Sequence, residues 1–585
     1  MEDHQLALGL SEGGQSEIHL SFPRLNHFWN DSGVLGLYRC LIDSVHAPSQ
    51  RESAEREGDY REVFGIEANL TRDALELSGA PEALKQALDA AYDRLVERYY
   101  NLSTEKQRND TSAHNFYYDS KTDRFRPFPK KKPKGIAAFI YDKAPRPSGD
   151  QAKWVGEPAG QLPEEWSHLQ DRLDAFLQSN KLSAGPPAGM LIDGPNRIKP
   201  NVTIAIKEGK PKGVCFLCGQ PSTTLEKISQ TVFPFITGDS GILSFFSGAS
   251  EVNKVCWRCA FVGKFVPVNG FYTTAGDSLH LFFPFAPSLT KMNEVYGKLQ
   301  AAAFAFTDPD YWKNFEVQLG GYFARSHELA FAFLHALYQR LFNSNEIEED
   351  ADFDCDLFSF ALENAPVSFA VVSTMAKGNT QMPTEAYLFD DLAYLFRLFR
   401  LTERHETDWK NLAANLVDST AAKKEDYSLR RNRIMRLMLD KRSILREAES
   451  FAYHVNRQKQ RAIGPLARFV TLYEELIHKG GGMESQAREA AVTLGRRVGG
   501  AVAAERGKKG NLFALRKCRT VADFLNELNR LQFRYQIAIP PAVYEGHLTE
   551  ENFDEFRGFC LLAALNTFNA GMARQEQAET AEATQ

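Results

Sequence analysis

Two tight cysteine pairs, Cys215-Phe216-Leu217-Cys218 and Cys256-Trp257-Arg258-Cys259, are the residues of this chain best suited to chemistry. Each CxxC knuckle can present two thiolates to one metal ion, and two knuckles complete the tetrahedral set that holds Zn2+. Gly219 follows the first pair, where a knuckle needs a tight turn. The 37 residues between the pairs exceed what a compact ribbon uses, so an inserted element carrying Phe233-Pro234-Phe235 and Ser244-Phe245-Phe246 is expected. The alternatives are unpaired buried thiols or a redox CxxC, but a thioredoxin-like site needs only one pair. Four thiolate ligands leave no open position for water, so one zinc per chain should fold its region rather than catalyse.

A second kind of chemistry is carried by cations. Arg124-Phe125-Arg126-Pro127-Phe128-Pro129-Lys130-Lys131-Lys132-Pro133-Lys134 packs six cations and two Phe into eleven residues, with prolines that oppose a helix. Cations neutralise phosphates, and rings can stack on or wedge between bases. The bland alternative is a solvated basic loop. Further along, Arg430, Arg431, Arg433 and Arg436 interrupt an apolar stripe of Leu437, Leu439, Ile444 and Leu445, and Arg496-Arg497, Lys508-Lys509 and Arg516-Lys517 follow. Between Lys423 and Arg534 there are 25 Lys+Arg against 12 Asp+Glu, a net of +13 inside a chain whose total is −6. A charged helix face is usually just solvated, but charge this segregated points to a polyanion partner.

Motifs for catalysis fail their context. Gly238-Asp239-Ser240-Gly241 matches a serine-protease nucleophile segment, yet it sits in the cysteine-bounded loop without a disulfide framework. The acidic run Glu346 to Asp354 lacks ordered ligand spacing and is expected to be a solvated loop. No GxxxxGK[ST], HExxH or GxSxG occurs.

The elements that must position these residues follow from periodicity. Phe64, Ile66, Ala68 and Leu70 alternate with polar or small residues, which predicts a half-buried strand. Pro81 opens a segment with Leu84, Leu88, Ala91, Leu95 and Tyr99 at spacings of three and four, which predicts an amphipathic helix. Pro127 to Pro163 is expected to be long loops, and Val202 to Ile206 a strand leading into the first knuckle. Beyond about residue 290 the pattern is helical, including stripes from Tyr387 to Phe399 and from Phe524 to Leu531. The fold class is therefore α+β: a mixed α/β N-terminal half with an inserted four-cysteine zinc-ribbon-like element, then an all-α C-terminal bundle. The expected domains are 1–200, mixed α/β with the basic loop 124–134; 201–289, zinc-binding; 290–378, helical connection; 379–573, basic helical bundle; and 574–585, a disordered polar tail. The length of 585 residues accommodates several domains, and 43% hydrophobic with 25% charged residues is a globular mixture. The eight scattered and paired Cys do not form a secreted disulfide pattern, and the first residues lack a signal peptide, so a cytoplasmic location is expected.

Three features in this order resemble the large subunit of a type I-B CRISPR Cascade complex. They are the segment Asn26-His27-Phe28-Trp29-Asn30-Asp31-Ser32-Gly33-Val34-Leu35-Gly36, the widely spaced knuckles at Cys215, Cys218, Cys256 and Cys259, and the basic C-terminal helices. The resemblance implies a non-catalytic subunit of a crRNA-guided antiviral complex that sits with backbone subunits. It implies recognition of the PAM in target double-stranded DNA, strand opening and recruitment of a helicase–nuclease, with sequence read by guide pairing. It also implies a separate small subunit equivalent to the C-terminal bundle, sometimes made from an internal start. Lys479-Gly480-Gly481-Gly482 can encode a purine-rich ribosome-binding stretch just before Met483; the alternative is a glycine hinge. A zinc-containing nuclease or nucleic-acid-processing enzyme is the competing reading, and a scaffold unrelated to nucleic acid the third.

Overall fold

The computed structural model describes residues 17–42, 59–99, 116–127, 150–227, 254–293, 319–343 and 368–584, with short breaks inside those spans. The chain divides into two compact units, one made of 1–316 and 358–390, the other of 317–357 and 391–585.

The first unit is built on three small sheets. Strands β1 (Ile18–Pro23), β2 (Asp59–Val63), β3 (Ile66–Leu70) and β4 (Ala74–Gly79) form an antiparallel sheet in the order β1-β4-β3-β2. The expected strand begins at Ile66, because Phe64 and Gly65 both have positive φ and turn the chain out of β2. Helix α1 (Phe28–Ile42) and helix α2 (Pro81–Tyr99) accompany this sheet, the latter beginning at Pro81 as its spacing predicts. A second sheet has the order β6-β5-β8-β7, from β5 (Phe116–Asp119), β6 (Arg124–Pro127), β7 (Asp150–Lys153) and β8 (Gly189–Ile192). Beside it α3 (Gln170–Asn180) helps close a separate small core around Phe116, Tyr118 and Leu173.

Two hairpins, β9 (Gly213–Val214) with β10 (Pro221–Ser222) and β11 (Leu225–Lys227) with β12 (Lys254–Cys256), carry the cysteine pairs and lead into α4 (Trp257–Val262). Val202 to Ile206 is not a strand: its alternation supplies a buried face, with Val202 and Ile206 inside, but no ladder partner. The third sheet is antiparallel in the order β13-β14-β15-β16, from β13 (Phe271–Ala275), β14 (Ser278–Phe285), β15 (Ser368–Lys377) and β16 (Thr380–Phe389). The region from 290 onward is therefore not uniformly helical. Its strands at 368–389 cross the expected boundary at 378/379, and Tyr387 to Phe389 belongs to β16 rather than to a helix.

The second unit is all helical among the described residues. It comprises α5 (Ser326–Asn343), α6 (Leu392–Arg404), α7 (Trp409–Asn415), α8 (Leu429–Leu439), α9 (Leu445–Gln458), α10 (Gly464–Ile477), α11 (Ser485–Ala504), α12 (Gly510–Lys517), α13 (Val521–Tyr535) and α14 (Phe553–Thr584). Helix α11 lies along α14 with almost no side-chain gap: a Cβ on Gly495 would stand 2.2 Å from the Cys560 carbonyl oxygen, and one on Gly499 2.1 Å from that of Ala564. The expected disordered tail is instead the end of α14, which runs to Thr584. Ala, Glu and Gln are strong helix formers, so polarity there did not prevent a helix. Gln575 Nε2 donates to the Ala503 carbonyl oxygen at 3.1 Å, and Arg506 pairs with Glu579.

Candidate metal centre and basic surfaces

Local backbone geometry brings the two knuckles together. In the first, the Gly219 N–H donates to the Cys215 carbonyl oxygen at 2.9 Å, and the Cys215 N–H to that of Gln220 at 2.8 Å. This turn requires Gly219 at φ +70°, where the absent Cβ makes the left-handed conformation cheap. In the second, Cys256 caps α4, its Sγ accepting the Cys259 N–H at 3.5 Å. The Phe216 N–H donates to the Lys254 carbonyl oxygen at 2.9 Å and ties the first knuckle to β12.

The result is one cluster in which the Sγ atoms of Cys215, Cys218, Cys256 and Cys259 all lie within 4.8 Å of one another. Cys215, Cys256 and Cys259 are buried. Crowded thiols do not ionise independently. Hydrogen bonds from Cys218, Cys256 and Cys259 hold the Cys215 thiol far below the usual range, whereas those with Cys215 and Cys218, together with burial, push Cys256 and Cys259 up. A soft divalent cation at the centre would replace those protons, and the four sulfurs can hold a metal ion.

The cluster belongs to the main core of its unit. Trp257, Phe261 and Phe265 pack there with Trp29, Leu35 and Tyr38 of α1. Gly36 of α1 lies so close to the chain after α4 that a Cβ would stand 2.1 Å from the Phe265 carbonyl oxygen. The segment Asn26 to Gly36 and the cysteine pairs are thus one packed structure. Asp31 within it is fully buried, accepts the Leu25 N–H at 2.9 Å and has Arg24 Nε at 3.8 Å; burial pushes its pKa up to about 6.

The cations fare less uniformly. Arg124 and Arg126 lie on edge strand β6, not in a loop, because Phe125 and its neighbours pair with β5. Arg124 is exposed, while Arg126 pairs with Asp119 at 3.0 Å. Lys130, Lys131, Lys132 and Lys134 lie outside the described residues, as do the segment 228–253, the acidic run from Glu346 and the segment Lys479 to Gly482.

Arg431, expected among the nucleic-acid contacts, is buried in an ion pair instead. Its side chain is 0% exposed, its Nε is 2.8 Å from Glu328 Oε2, its Nη1 donates to the Ala413 carbonyl oxygen at 3.1 Å, and its guanidinium lies 4.0 Å from the Phe323 ring centroid. Adjacent Asn432 accepts the His327 and Glu328 N–H groups through Oδ1 at 3.0 and 3.1 Å, so the two side chains fasten the start of α5.

Arg433 is exposed and Arg430 half-buried. With Arg436 and Arg442 they line a groove of about 700 Å³ that Asp440 and Glu447 also enter. Glu447 lies 3.2 Å from Arg433 and 3.9 Å from Arg430, and Asp440 3.7 Å from Arg436, so both carboxylates are engaged and the four arginines keep a positive excess over them. Arg496 is exposed beside a separate cleft of about 410 Å³ shared with Arg468 and His405. Arg497 donates to the Ala538 carbonyl oxygen at 2.8 Å, Lys508 is exposed, and half-buried Lys509 donates to that of Asn456 at 3.2 Å. The first knuckle also presents Lys210 and Lys212 beside exposed Val214 and Phe216, a surface that cysteine spacing alone does not mark. Among the described residues no helix is long and apolar enough to cross a membrane. Compared with known proteins, the chain matches no family model and no curated sequence.

Proposed function

We propose that this chain is the non-catalytic large subunit of a crRNA-guided antiviral DNA-surveillance complex, with one structural Zn2+ at Cys215, Cys218, Cys256 and Cys259. The observation that carries the nucleic-acid part is the groove on α8, where four arginines meet two carboxylates. Surface guanidiniums at that density suit phosphate oxygens, which they can engage with two parallel hydrogen bonds each. All-thiolate ligation leaves the metal no site for an activated water, so its work is to hold the N-terminal core.

In this reading the chain joins crRNA and the backbone subunits, contacts the PAM and flanking duplex, assists strand opening and receives the helicase–nuclease in the cytoplasm. The segment Arg124 to Lys134 is the candidate duplex contact, and Arg496, Arg497, Lys508 and Lys509 belong to the basic helical unit that follows the strands. A small subunit starting at Met483 would carry α11 to α14.

The test is co-expression with the genes flanking its own, followed by isolation of any complex and measurement of crRNA content and target-duplex affinity. A complex that retains this chain, and loses duplex affinity on Lys130→Ala, Lys131→Ala and Lys132→Ala together, supports the reading. Three lost phosphate contacts should flatten the salt dependence by a slope of about 2–3. Failure to associate with any RNA-containing complex would overturn it. Magnesium- or manganese-dependent cleavage by the purified chain, abolished by changing one of its carboxylates, would favour the nuclease alternative.

A further inference from the structure

Helix α13 has a conventional inner face and an unusual outer one. The Thr520 hydroxyl caps its first turn by accepting the Asp523 N–H at 3.1 Å, and Phe524, Leu528 and Leu531 are buried inside. Outward, at steps of three and four residues, stand Asn526, Asn529, Arg530, Phe533 and Arg534, all exposed. Phe533 is 87% exposed, the most exposed of the large hydrophobic side chains among the described residues.

A single exposed apolar residue is ordinary on a protein surface. What distinguishes Phe533 is its company, which is amide and guanidinium rather than apolar. The chain after α11 adds to it. Asn511 Nδ2 donates to the Tyr535 hydroxyl at 2.5 Å, and Arg530 Nη2 donates to Asn511 Oδ1 at 3.4 Å. These bonds set the turn bearing Arg506, Lys508 and Lys509 against the same end of α13. Glu527 pairs with Arg530 at 2.5 Å and Glu579 with Arg506, while Asp523 lies at the far end of the helix. Among the described residues no carboxylate pairs with Lys508 or Arg534.

We propose that Phe533 is a stacking platform for an unpaired base of a single-stranded nucleic acid, with Lys508 and Arg534 meeting the flanking phosphates. The proposal rests on the nucleic-acid reading above and names the strand form and the residue that grips it. A convex helix offers its ring outward, where it can reach the face of a splayed base but not one stacked inside a duplex. Base–aromatic stacking tolerates any sequence, as a strand opened at varied targets requires. A protein partner would need further apolar surface around the ring, and the stripe supplies Asn and Arg instead.

The test uses the full-length chain with labelled oligothymidylate and a hairpin duplex, read by fluorescence anisotropy across a salt series. Phe533→Ala and Phe533→Leu should weaken single-strand binding by about 5- to 100-fold, with the salt slope unchanged. Phe533→Trp should retain affinity, and duplex binding should not follow these changes. Lys508→Gln with Arg534→Gln should lower the slope by about 0.7 per charge. Because these side chains are exposed, the variants should fold, which circular dichroism would verify. Wild-type affinity in Phe533→Leu, or equal losses for duplex and single strand, would overturn the stacking role while leaving nucleic-acid binding by the chain intact. No binding of either nucleic acid, by the chain or by an assembled complex, would overturn both readings together.

Discussion

Replacing Arg431 with Ala would leave the Glu328 carboxylate buried without its cation, a change that typically costs about 3–5 kcal/mol. The expected result is a lower urea midpoint for the helical unit. Glu328→Leu with Arg431→Met should recover most of the loss, because two apolar side chains of similar size need no desolvated charge. Asp31 offers a second test through pH. Its pKa of about 6 lies above the ordinary 3.8, so the folded state holds the proton more tightly than the unfolded one. That contribution is complete below pH 4 and is lost as pH rises through 6, by up to about 3 kcal/mol. The thermal midpoint of the N-terminal unit should therefore fall between pH 4 and 7, and Asp31→Asn should flatten that slope. Neither site was legible in the sequence. Arg430 and Arg431 look alike in a basic run, but a helix turns by roughly 100° per residue, sending one outward and the next into the core. The Glu328 that receives it is 103 positions earlier in the chain.

Elements with strong periodicity were readable from the sequence, and those needing a distant partner were not. The helices from Pro81 and around Phe524 to Leu531 follow from spacing alone. The cysteine cluster was legible because each knuckle is a local motif whose chemistry needs only a second like it. Strands β15 and β16 are not distinguished by periodicity because a short apolar run fits helix or strand equally; β15 finds its ladder partner β14 about ninety residues away in the chain, and β16 then pairs with β15. The seam between α11 and α14 supplies a prediction of its own. Gly499→Ala would drive a methyl into the Ala564 carbonyl, so the helices must separate, at a cost of about 1–3 kcal/mol. Denaturant unfolding of the helical unit would measure it. Both partners of that seam lie downstream of Met483, so a fragment begun there would keep it. The same fragment would lose the contacts of α9, including Glu449 to Arg516 at 2.5 Å and Asn456 to Asn569 at 2.9 Å. Expression from the native gene should yield a small product spanning 483–585, and synonymous recoding of Gly480 to Gly482 should remove it without affecting the full-length chain. Subunit masses decide the matter.

At the scale of the whole molecule, the two units should respond differently to metal removal. Purified protein should carry about one zinc per chain, and Cys215→Ser or Cys256→Ser should lower that content and destabilise the first unit. Hydrogen exchange after chelation should accelerate in α1, β12 and α4, while α9 and α14 remain protected. Equal acceleration throughout would refute the assignment of the metal to the first core alone.

The fit of Gly36 against the chain just beyond the second cysteine pair bears on the life of the protein in a cell. A newly made chain completes α1 more than two hundred residues before Cys256 and Cys259 are synthesised. Until that later segment is made and, on the proposed reading, its cysteines take up their metal, α1 lacks part of the surface it packs against and offers chaperones and proteases an open substrate. Zinc supply would then set how much of the protein survives synthesis. Scarcity should shorten the half-life of the wild-type chain in pulse–chase measurements, leaving its transcript level unchanged, and Cys256→Ser should show the short half-life even in zinc-replete cells.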